Sequence, residues 1–110
     1  MGAGILMNDI KIITICGSMK YAKEMMKTSL ELELKGCAVI QCSYENDSHK
    51  LEVRDIEMLN KVHRKKIDIS DAIYVVNVDG YVGNSTKNEI EYAKNLGKEI
   101  LSFEPLEYTN

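Results

Sequence analysis

Three stretches of the chain are almost entirely apolar and rich in β-branched side chains, a shorter apolar segment is centred on Ile100 and Leu101, and more polar segments separate them. A continuous apolar run, unlike an alternating one, is typical of a strand that is covered on both faces of its sheet. The pattern therefore predicts four buried strands, at residues 10–16, 37–42, 72–78 and 98–103.

Between these runs, apolar residues recur at intervals of three and four, which is the period of an amphipathic helix. Helices are predicted from residue 19 or 20 to about 35, from about 51 to 69, and from 86 to 96. Gly36 and Gly97 follow the first and third helices, where glycine commonly ends a helix. Residues 30–34 also alternate with period two, so a strand is the alternative there. The polar residues 43–50 predict an exposed loop.

Strands that alternate with helices predict a parallel sheet with right-handed crossovers. We expect an α/β fold: a single-domain, Rossmann-like or flavodoxin-like three-layer sandwich with a four- to five-stranded sheet in the order 2-1-3-4. Strands 1 and 3 are then neighbours, with the helices that follow them on opposite faces. The ligand crevice of such folds lies at the carboxyl ends of these strands. Residues 1–9 are expected to be a frayed terminus of the single domain 1–110.

Composition excludes several classes of partner. The chain has 110 residues, enough for one domain, and 45% of them are apolar, enough for a sizeable core. The net charge of −3 is spread along the chain, which argues against a nucleic-acid-binding surface. No apolar run approaches the roughly 20 residues that span a membrane. Small anionic ligands remain compatible, because backbone amides can bind them.

The three cysteines Cys16, Cys37 and Cys42 lie in or beside apolar runs. Their spacing is not that of a zinc motif, and no secretory signal precedes them. We interpret them as buried small hydrophobic residues of a cytoplasmic protein.

A Gly-rich loop, 79–85, follows the third predicted strand and leads into the third helix. Thr86 and Glu89 are spaced as a capping box, the sequence signature of a helix N-terminus. Capping is therefore the simpler interpretation of Glu89. The alternative is a carboxylate that points into the crevice and is kept ionised by the helix dipole, as a nucleophile must be.

Other candidates flank the same crevice. Gly17 and Ser18 form the turn after the first strand, where a glycine lets a ligand approach the backbone. A turn with a Ser18 helix cap fits them equally well. Tyr81 and Asn84 could stack on or hydrogen-bond a flat polar ligand, or lie in an ordinary exposed turn.

Two further candidates come from the second helix and the turn behind it. His63 lies on the apolar stripe of that helix, where a packed core histidine is the more common outcome than a catalytic one. Asp71 precedes the third strand and is a candidate substrate-binding residue, although ordering of the local backbone is the simpler role.

Three segments together resemble the nucleoside 2-deoxyribosyltransferase-like superfamily, which includes the 2′-deoxynucleoside 5′-phosphate N-hydrolases. They are 15–18 (Ile-Cys-Gly-Ser), 67–76 (Ile-Asp-Ile-Ser-Asp-Ala-Ile-Tyr-Val-Val) and, above all, 83–93 (Gly-Asn-Ser-Thr-Lys-Asn-Glu-Ile-Glu-Tyr-Ala). The resemblance spans about residues 11–103. It implies cleavage or transfer of the N-glycosidic bond of a nucleoside or nucleotide.

The resemblance also implies roles for individual residues. Glu89 matches the glutamate that attacks the anomeric carbon, and Gly17 and Ser18 match the turn that holds sugar or phosphate. Gly83, Asn84 and Ser85 fall in the loop that contacts phosphate or sugar hydroxyls. No metal or other cofactor is implied. Related proteins close their pockets with a neighbouring subunit, so a homodimer or larger homo-oligomer is expected.

The chain also departs from the family pattern. Thr14 stands where the family often has a tyrosine beside the nucleophile, and His63 where it tends to have an aspartate, with Asp68 and Asp71 nearby. Gly83 replaces an aspartate that some transferases carry six residues before the glutamate. His63 could still act as an acid–base group near neutral pH. Two alternatives remain: a non-catalytic nucleotide-binding or sensing module on the same fold, and a response-regulator-like domain, which the absence of an acidic pair after the first strand disfavours.

Overall fold

The elements of the chain follow the predicted alternation of strands and helices in a computed structural model that describes residues 9–44 and 50–106. The strands are β1 (Ile12–Gly17), β2 (Ala38–Ile40), β3 (Ala72–Val76) and β4 (Glu99–Ser102). The helices are α1 (Ala22–Leu34), α2 (Val53–Asp68) and α3 (Asn84–Asn95), with short 3₁₀ turns at Met19–Tyr21 and Val78–Gly80. The frayed end predicted at 1–9, apart from residue 9, and most of the loop predicted at 43–50 lie outside the described residues.

The helical interpretation of residues 30–34 is confirmed, because α1 continues to Leu34. Gly36 then adopts a left-handed conformation with φ of 97°, and Gly97 does the same after α3 with φ of 75°. Both conformations are strained for residues that carry a Cβ atom, so glycine ends each helix as predicted.

The strands of the described residues form one parallel sheet in the order β2-β1-β3-β4, which confirms the predicted order. In the register of the central pair, Gly17 lies beside Val76. The carboxyl ends of β1 and β3 therefore reach the same edge of the sheet, and the segments that follow them diverge from that edge.

The two faces of the sheet are covered by different helices, which makes a three-layer Rossmann-like arrangement. On one face, Ile15 of β1 and Val76 of β3 pack against Met25 of α1. The opposite face joins side chains of β1 and β3 to those of α2 and α3: Cys16, Ile73, Val75, Ile67, Ile90 and Ala93. Neighbouring residues of one strand point to opposite faces, so Ile15 and Cys16 belong to different layers.

Strand β3 ends two residues earlier than predicted. The side chain of Asn77 donates to the backbone oxygen of Glu104 at 2.9 Å and accepts from its backbone nitrogen at 2.8 Å. The chain then forms a short 3₁₀ turn that is interrupted by the left-handed backbone of Asp79, with φ of 55°, and Gly80, with φ of 79°, so the strand does not continue. The apolar pattern ran on because Val78 packs against the α1-side core after the strand has ended.

Within residues 9–44 and 50–106, no helix combines the length and the apolar character that crossing a bilayer demands.

Candidate active site

A cavity of about 460 Å³ opens at the edge of the sheet where β1 and β3 end. We call it the sheet-edge cavity. Seven of the nine residues proposed from the sequence line it: Gly17, Ser18, His63, Gly83, Asn84, Ser85 and Glu89. They come from the turn after β1, from α2 and from the start of α3. The cavity therefore lies where parallel α/β folds place their ligands.

The turn after β1 allows close approach of neighbouring groups because Gly17 has no side chain. A Cβ atom at this position would lie 3.2 Å from the backbone oxygen of Val76 and 3.3 Å from the Sδ atom of Met25. Ser18 follows in an extended conformation, and its Oγ accepts a hydrogen bond from the backbone nitrogen of Lys20 at 3.4 Å. Ser18 thus caps the 3₁₀ turn, as one interpretation of the sequence expected, and also lines the cavity.

The predicted capping box of Thr86 and Glu89 is wrong. Helix α3 begins at Asn84, with Gly83 as the N-cap residue and no side-chain hydrogen bond to the cap. The backbone nitrogen of Lys87 donates to the oxygen of Gly83 at 2.9 Å, so the N-cap lies three residues before the predicted Thr86. Thr86 is buried within the first turn. Glu89 consequently lies in the second turn, where its carboxylate has no capping role.

The carboxylate of Glu89 instead faces a histidine from the neighbouring helix. Its Oε1 lies 3.4 Å from Nε2 of His63, and the side chains are only 23% and 13% exposed, respectively. The same His63 nitrogen lies 3.5 Å from the Sγ atom of Cys16. Three reactive side chains from β1, α2 and α3 therefore meet, and two of them, His63 and Glu89, line the cavity; we call them the Cys16–His63–Glu89 cluster.

Sequence reasoning missed the part that Cys16 plays here. Its burial is confirmed, since it is 1% exposed. Burial, followed by the negative charge of Glu89, raises the pKa of the Cys16 thiol well above its ordinary value. Strand periodicity could have found this residue, because Cys16 shares a face with Thr14 and immediately precedes the cavity turn.

The resemblance placed Thr14 beside Glu89, but Thr14 does not line the sheet-edge cavity. Its hydroxyl is buried and hydrogen-bonded to Oγ of Ser70 at 2.6 Å and to the backbone oxygen of Lys66 at 3.1 Å. Thr14 thus connects β1 to the end of α2. Cys16, two residues closer to the cavity on the same strand face, is the β1 side chain next to Glu89.

Asp71 and Tyr81 do not line the sheet-edge cavity. Asp71 lies at the start of β3, at the amino-terminal ends of the strands and away from the cavity. Its Oδ2 accepts a hydrogen bond there from the backbone nitrogen of Ile12 at 2.8 Å. This contact fits the backbone-ordering role that was its simpler interpretation. Tyr81 packs edge-on against Tyr21, with the Nζ atom of Lys20 3.6 Å from its ring centroid.

Two polar residues of the cavity had no role in the sequence interpretation. Lys66 lines it and donates from Nζ to the backbone oxygen of Gln41 at 2.8 Å, and Asn60 lines it from the same helix. Lys66 places a positive charge in the wall. The uncapped amides at the start of α3 add partial positive charge, so an anionic group such as phosphate fits this part of the cavity.

Asp68, the other acid near the family's aspartate position, is engaged outside the cavity. The hydroxyl of Tyr92 donates to its Oδ1 at 2.6 Å, which raises the pKa of Tyr92. His63 is therefore the residue of α2 whose ionisable side chain meets Glu89.

No protein-family model matches the chain. Among curated proteins, the mouse (Mus musculus) dynein axonemal heavy chain 8 is similar, with 28% identity over 94 residues, which cover 81% of this chain and 2% of the dynein chain. The chain thus spans about 2% of the length of that relative. So small a share at this identity does not assign a family, and the geometry of the cavity carries the functional proposal.

Proposed function

We propose that this protein cleaves or transfers the N-glycosidic bond of a nucleoside, a deoxynucleoside or its 5′-monophosphate, with Glu89 as the nucleophile. The observation that carries this proposal is the position of Glu89. Its carboxylate has no capping role, is 23% exposed at the wall of the cavity and is in contact with His63. The resemblance of residues 83–93 to the deoxyribosyltransferase-like superfamily identifies the same residue.

The reaction proceeds in two displacements at the anomeric carbon. In the first, a carboxylate oxygen of Glu89 forms a bond to this carbon while the bond to the base nitrogen breaks. The electron pair leaves with the base, which takes a proton from water at the open side of the cavity. In the second, water or another base attacks the same carbon and gives up a proton to the hydroxide that the first step left in solvent, the bond to Glu89 breaks, and the carboxylate is regenerated.

The short distance between His63 and Glu89 supports a positioning role for the histidine. In retaining glycosidases the acid and the nucleophile are about 5–5.5 Å apart, because they lie on opposite faces of the sugar. His63 lies at 3.4 Å from Glu89, on the nucleophile's side. We therefore propose that His63 orients the carboxylate by hydrogen bonding and is a positioning residue rather than the acid for the departing base.

The remaining cavity residues are proposed to bind the substrate. Lys66 and the first amides of α3 would hold a 5′-phosphate, and the side chains of Asn84 and Ser85 would contact phosphate or sugar hydroxyls. Gly17 and Ser18 would let the sugar approach the backbone at the end of β1. None of these roles requires a metal or a redox cofactor.

The direct test is release of free base. The protein is incubated with deoxynucleosides and with their 5′-monophosphates, and the products are separated by chromatography. We expect Glu89→Gln to abolish release, because an amide is not a nucleophile of comparable strength. Glu91→Gln is the matched control, since Glu91 is an exposed residue of the same helix outside the cavity. Release that persists at full rate in Glu89→Gln contradicts the assignment.

A second candidate, a non-catalytic nucleotide-binding module, is favoured by the anion-binding features of the cavity and by the absence of a second carboxylate among those lining residues that belong to 9–44 and 50–106. Titration of the protein with nucleotides, followed by calorimetry, separates the two. Saturable binding of nucleotides without any base release supports the binding module over the enzyme.

We also propose that the protein works as a homodimer or larger homo-oligomer in the cytoplasm. Ile56 on α2 presents apolar surface at the cavity, because it lines the cavity and is 48% exposed. A second copy that covered this surface would exclude water from the site. Light scattering after size-exclusion chromatography tests it, and a monomer at micromolar concentration contradicts it.

A further inference from the structure

The Cys16–His63–Glu89 cluster combines a sulfur, a nitrogen and an oxygen atom that all lie within 4.8 Å of one another. Thiolate, imidazole and carboxylate are the side-chain groups that bind zinc in proteins. The proposed reaction uses Glu89 as a free carboxylate and gives Cys16 no part. The cluster therefore has a binding capacity that the proposed reaction leaves unused.

Two of the three separations within the cluster agree with those between ligands of a tetrahedral zinc ion, and the third, between Cys16 and Glu89, is at most 4.8 Å. With Zn–S of about 2.3 Å and Zn–N or Zn–O of about 2.0–2.1 Å, tetrahedral angles give roughly 3.5 Å between sulfur and nitrogen and roughly 3.4 Å between nitrogen and oxygen. The distance from Cys16 Sγ to His63 Nε2 is 3.5 Å, and that from His63 Nε2 to Glu89 Oε1 is 3.4 Å.

The surroundings of the cluster also suit a metal. Cys16 is buried in β1, and the side chains of His63 and Glu89 are 13% and 23% exposed on two packed helices. A divalent ion together with one thiolate and one carboxylate has no net charge, so the complex leaves no uncompensated charge in a largely buried place. His63 and Glu89 line the sheet-edge cavity, from which water can reach a fourth coordination position.

We propose that Cys16, His63 and Glu89 together bind one zinc ion, with a water molecule from the sheet-edge cavity as the fourth ligand. On binding, the Cys16 thiol forms a bond to zinc and its proton passes to solvent, while His63 and Glu89 bind through Nε2 and a carboxylate oxygen. A Glu89 carboxylate bound to zinc cannot attack a sugar. Zinc is therefore an inhibitor of the proposed glycosidic reaction, a consequence that rests on the proposed function, whereas zinc binding itself does not.

The test uses cobalt(II) as a spectroscopic probe of the zinc site in the intact chain. Cobalt bound to a thiolate gives a near-ultraviolet charge-transfer band, and tetrahedral cobalt gives intense visible bands. We expect one equivalent of cobalt to produce both, and one equivalent of zinc to remove them. Cys16→Ala should lose the charge-transfer band, while Cys37→Ala, the matched cysteine control, should keep it.

A second variant keeps the test decisive if Cys16→Ala does not fold. Even outer-shell partners of a metal ligand are worth about 10–100-fold in affinity, so Glu89→Gln should weaken cobalt binding by more than about 100-fold. Wild-type protein that binds no cobalt overturns the proposal, as does a folded Cys16→Ala with an unchanged band or Glu89→Gln with unchanged affinity. These spectra need no substrate, so the metal proposal can be tested even if the protein releases no base. If the protein releases base but binds no cobalt, the metal proposal is overturned and the proposed function is not.

Discussion

Nε2 of His63 lies 3.4 Å from Oε1 of Glu89, although one residue belongs to α2 and the other to α3. The two helices pack on the same face of the sheet, so a stable core holds the two side chains together. A carboxylate held in this way is already ordered before a substrate binds. Such preorganisation of a reacting group is what favours catalysis.

The first prediction concerns this contact. In His63→Ala the Glu89 carboxylate loses the group that orients it, and misplacement of a reacting group by about 1 Å can cost about 100-fold in rate. We therefore expect kcat for base release to fall by roughly that factor, with little change in KM. Lys65→Ala, at an exposed neighbouring position on α2, is the control. An unchanged kcat in His63→Ala would show that the contact has no part in the reaction.

The second prediction follows from the true start of α3. Because the Glu89 carboxylate makes no capping bond to the helix, Glu89→Ala should lower the free energy of unfolding by less than the removal of a capping side chain does. Asp55 provides the comparison, since its Oδ2 accepts from the backbone nitrogen of Glu52 at 2.9 Å at the start of α2. Asp55→Ala should cost about 0.5–2 kcal/mol, as the loss of a capping interaction does. Urea denaturation measures both, and an equal loss in the two variants would restore the capping role of Glu89.

The fold was predictable because several local signals agree. Each continuous apolar run is a strand of the sheet, and Gly36 and Gly97 end their helices. The start of α3 was misplaced because the Thr86 and Glu89 spacing matches a capping box, while the extended backbone of Gly83 already begins the helix. A glycine N-cap has no side-chain signature, so the sequence favoured the stronger pattern.

The site was predictable only in part, for a geometric reason. Gly17 and Glu89 follow strands whose carboxyl ends share one edge of the sheet, and that placement can be read from the chain order. The contact of Cys16 with His63 joins β1 to α2, and no spacing along the sequence encodes it. Asp71 was proposed as a site residue from its nearness in sequence to β3. It precedes that strand, however, and so lies at the opposite edge.

The third prediction tests the close packing behind Gly17. A Cβ atom there would press on the backbone oxygen of Val76, which cannot rotate away, and on Met25. Gly17→Ala should therefore cost about 1–3 kcal/mol of stability, the usual effect of overpacking. Gly83→Ala is the matched control, because its nearest contact is the hydroxyl at the end of the Tyr81 side chain, at 3.3 Å.

In the control, Tyr81 can shift, and the replacement of a glycine N-cap by alanine, the poorer cap, should cost roughly 0.5–1 kcal/mol. Thermal and urea unfolding of the two variants decides the matter. Equal stabilities would mean that the turn after β1 has more room than the contacts of Gly17 indicate.

The fourth prediction concerns pH and the buried thiol. Burial and the nearby Glu89 charge raise the folded-state pKa of Cys16 well above its ordinary value of 9.0. Below pH 9 the thiol is protonated in both states, so its contribution to stability is constant. As pH rises above 9, the unfolded chain loses this proton and the folded chain keeps it, so the folded state is progressively destabilised, by up to about 1.4 kcal/mol per pH unit.

Cys16→Ala lacks this ionisation, so the stability difference between the wild type and this variant should shrink between pH 8 and pH 10.5, whatever other groups titrate in both proteins. Ile15→Val serves as the control, because it truncates another buried side chain of β1 that carries no titratable group. Its stability difference from the wild type should stay constant over the same range. Urea unfolding at fixed ionic strength measures all three proteins. Parallel pH profiles for the wild type and Cys16→Ala would show that the folded protein ionises Cys16 as readily as the unfolded chain does.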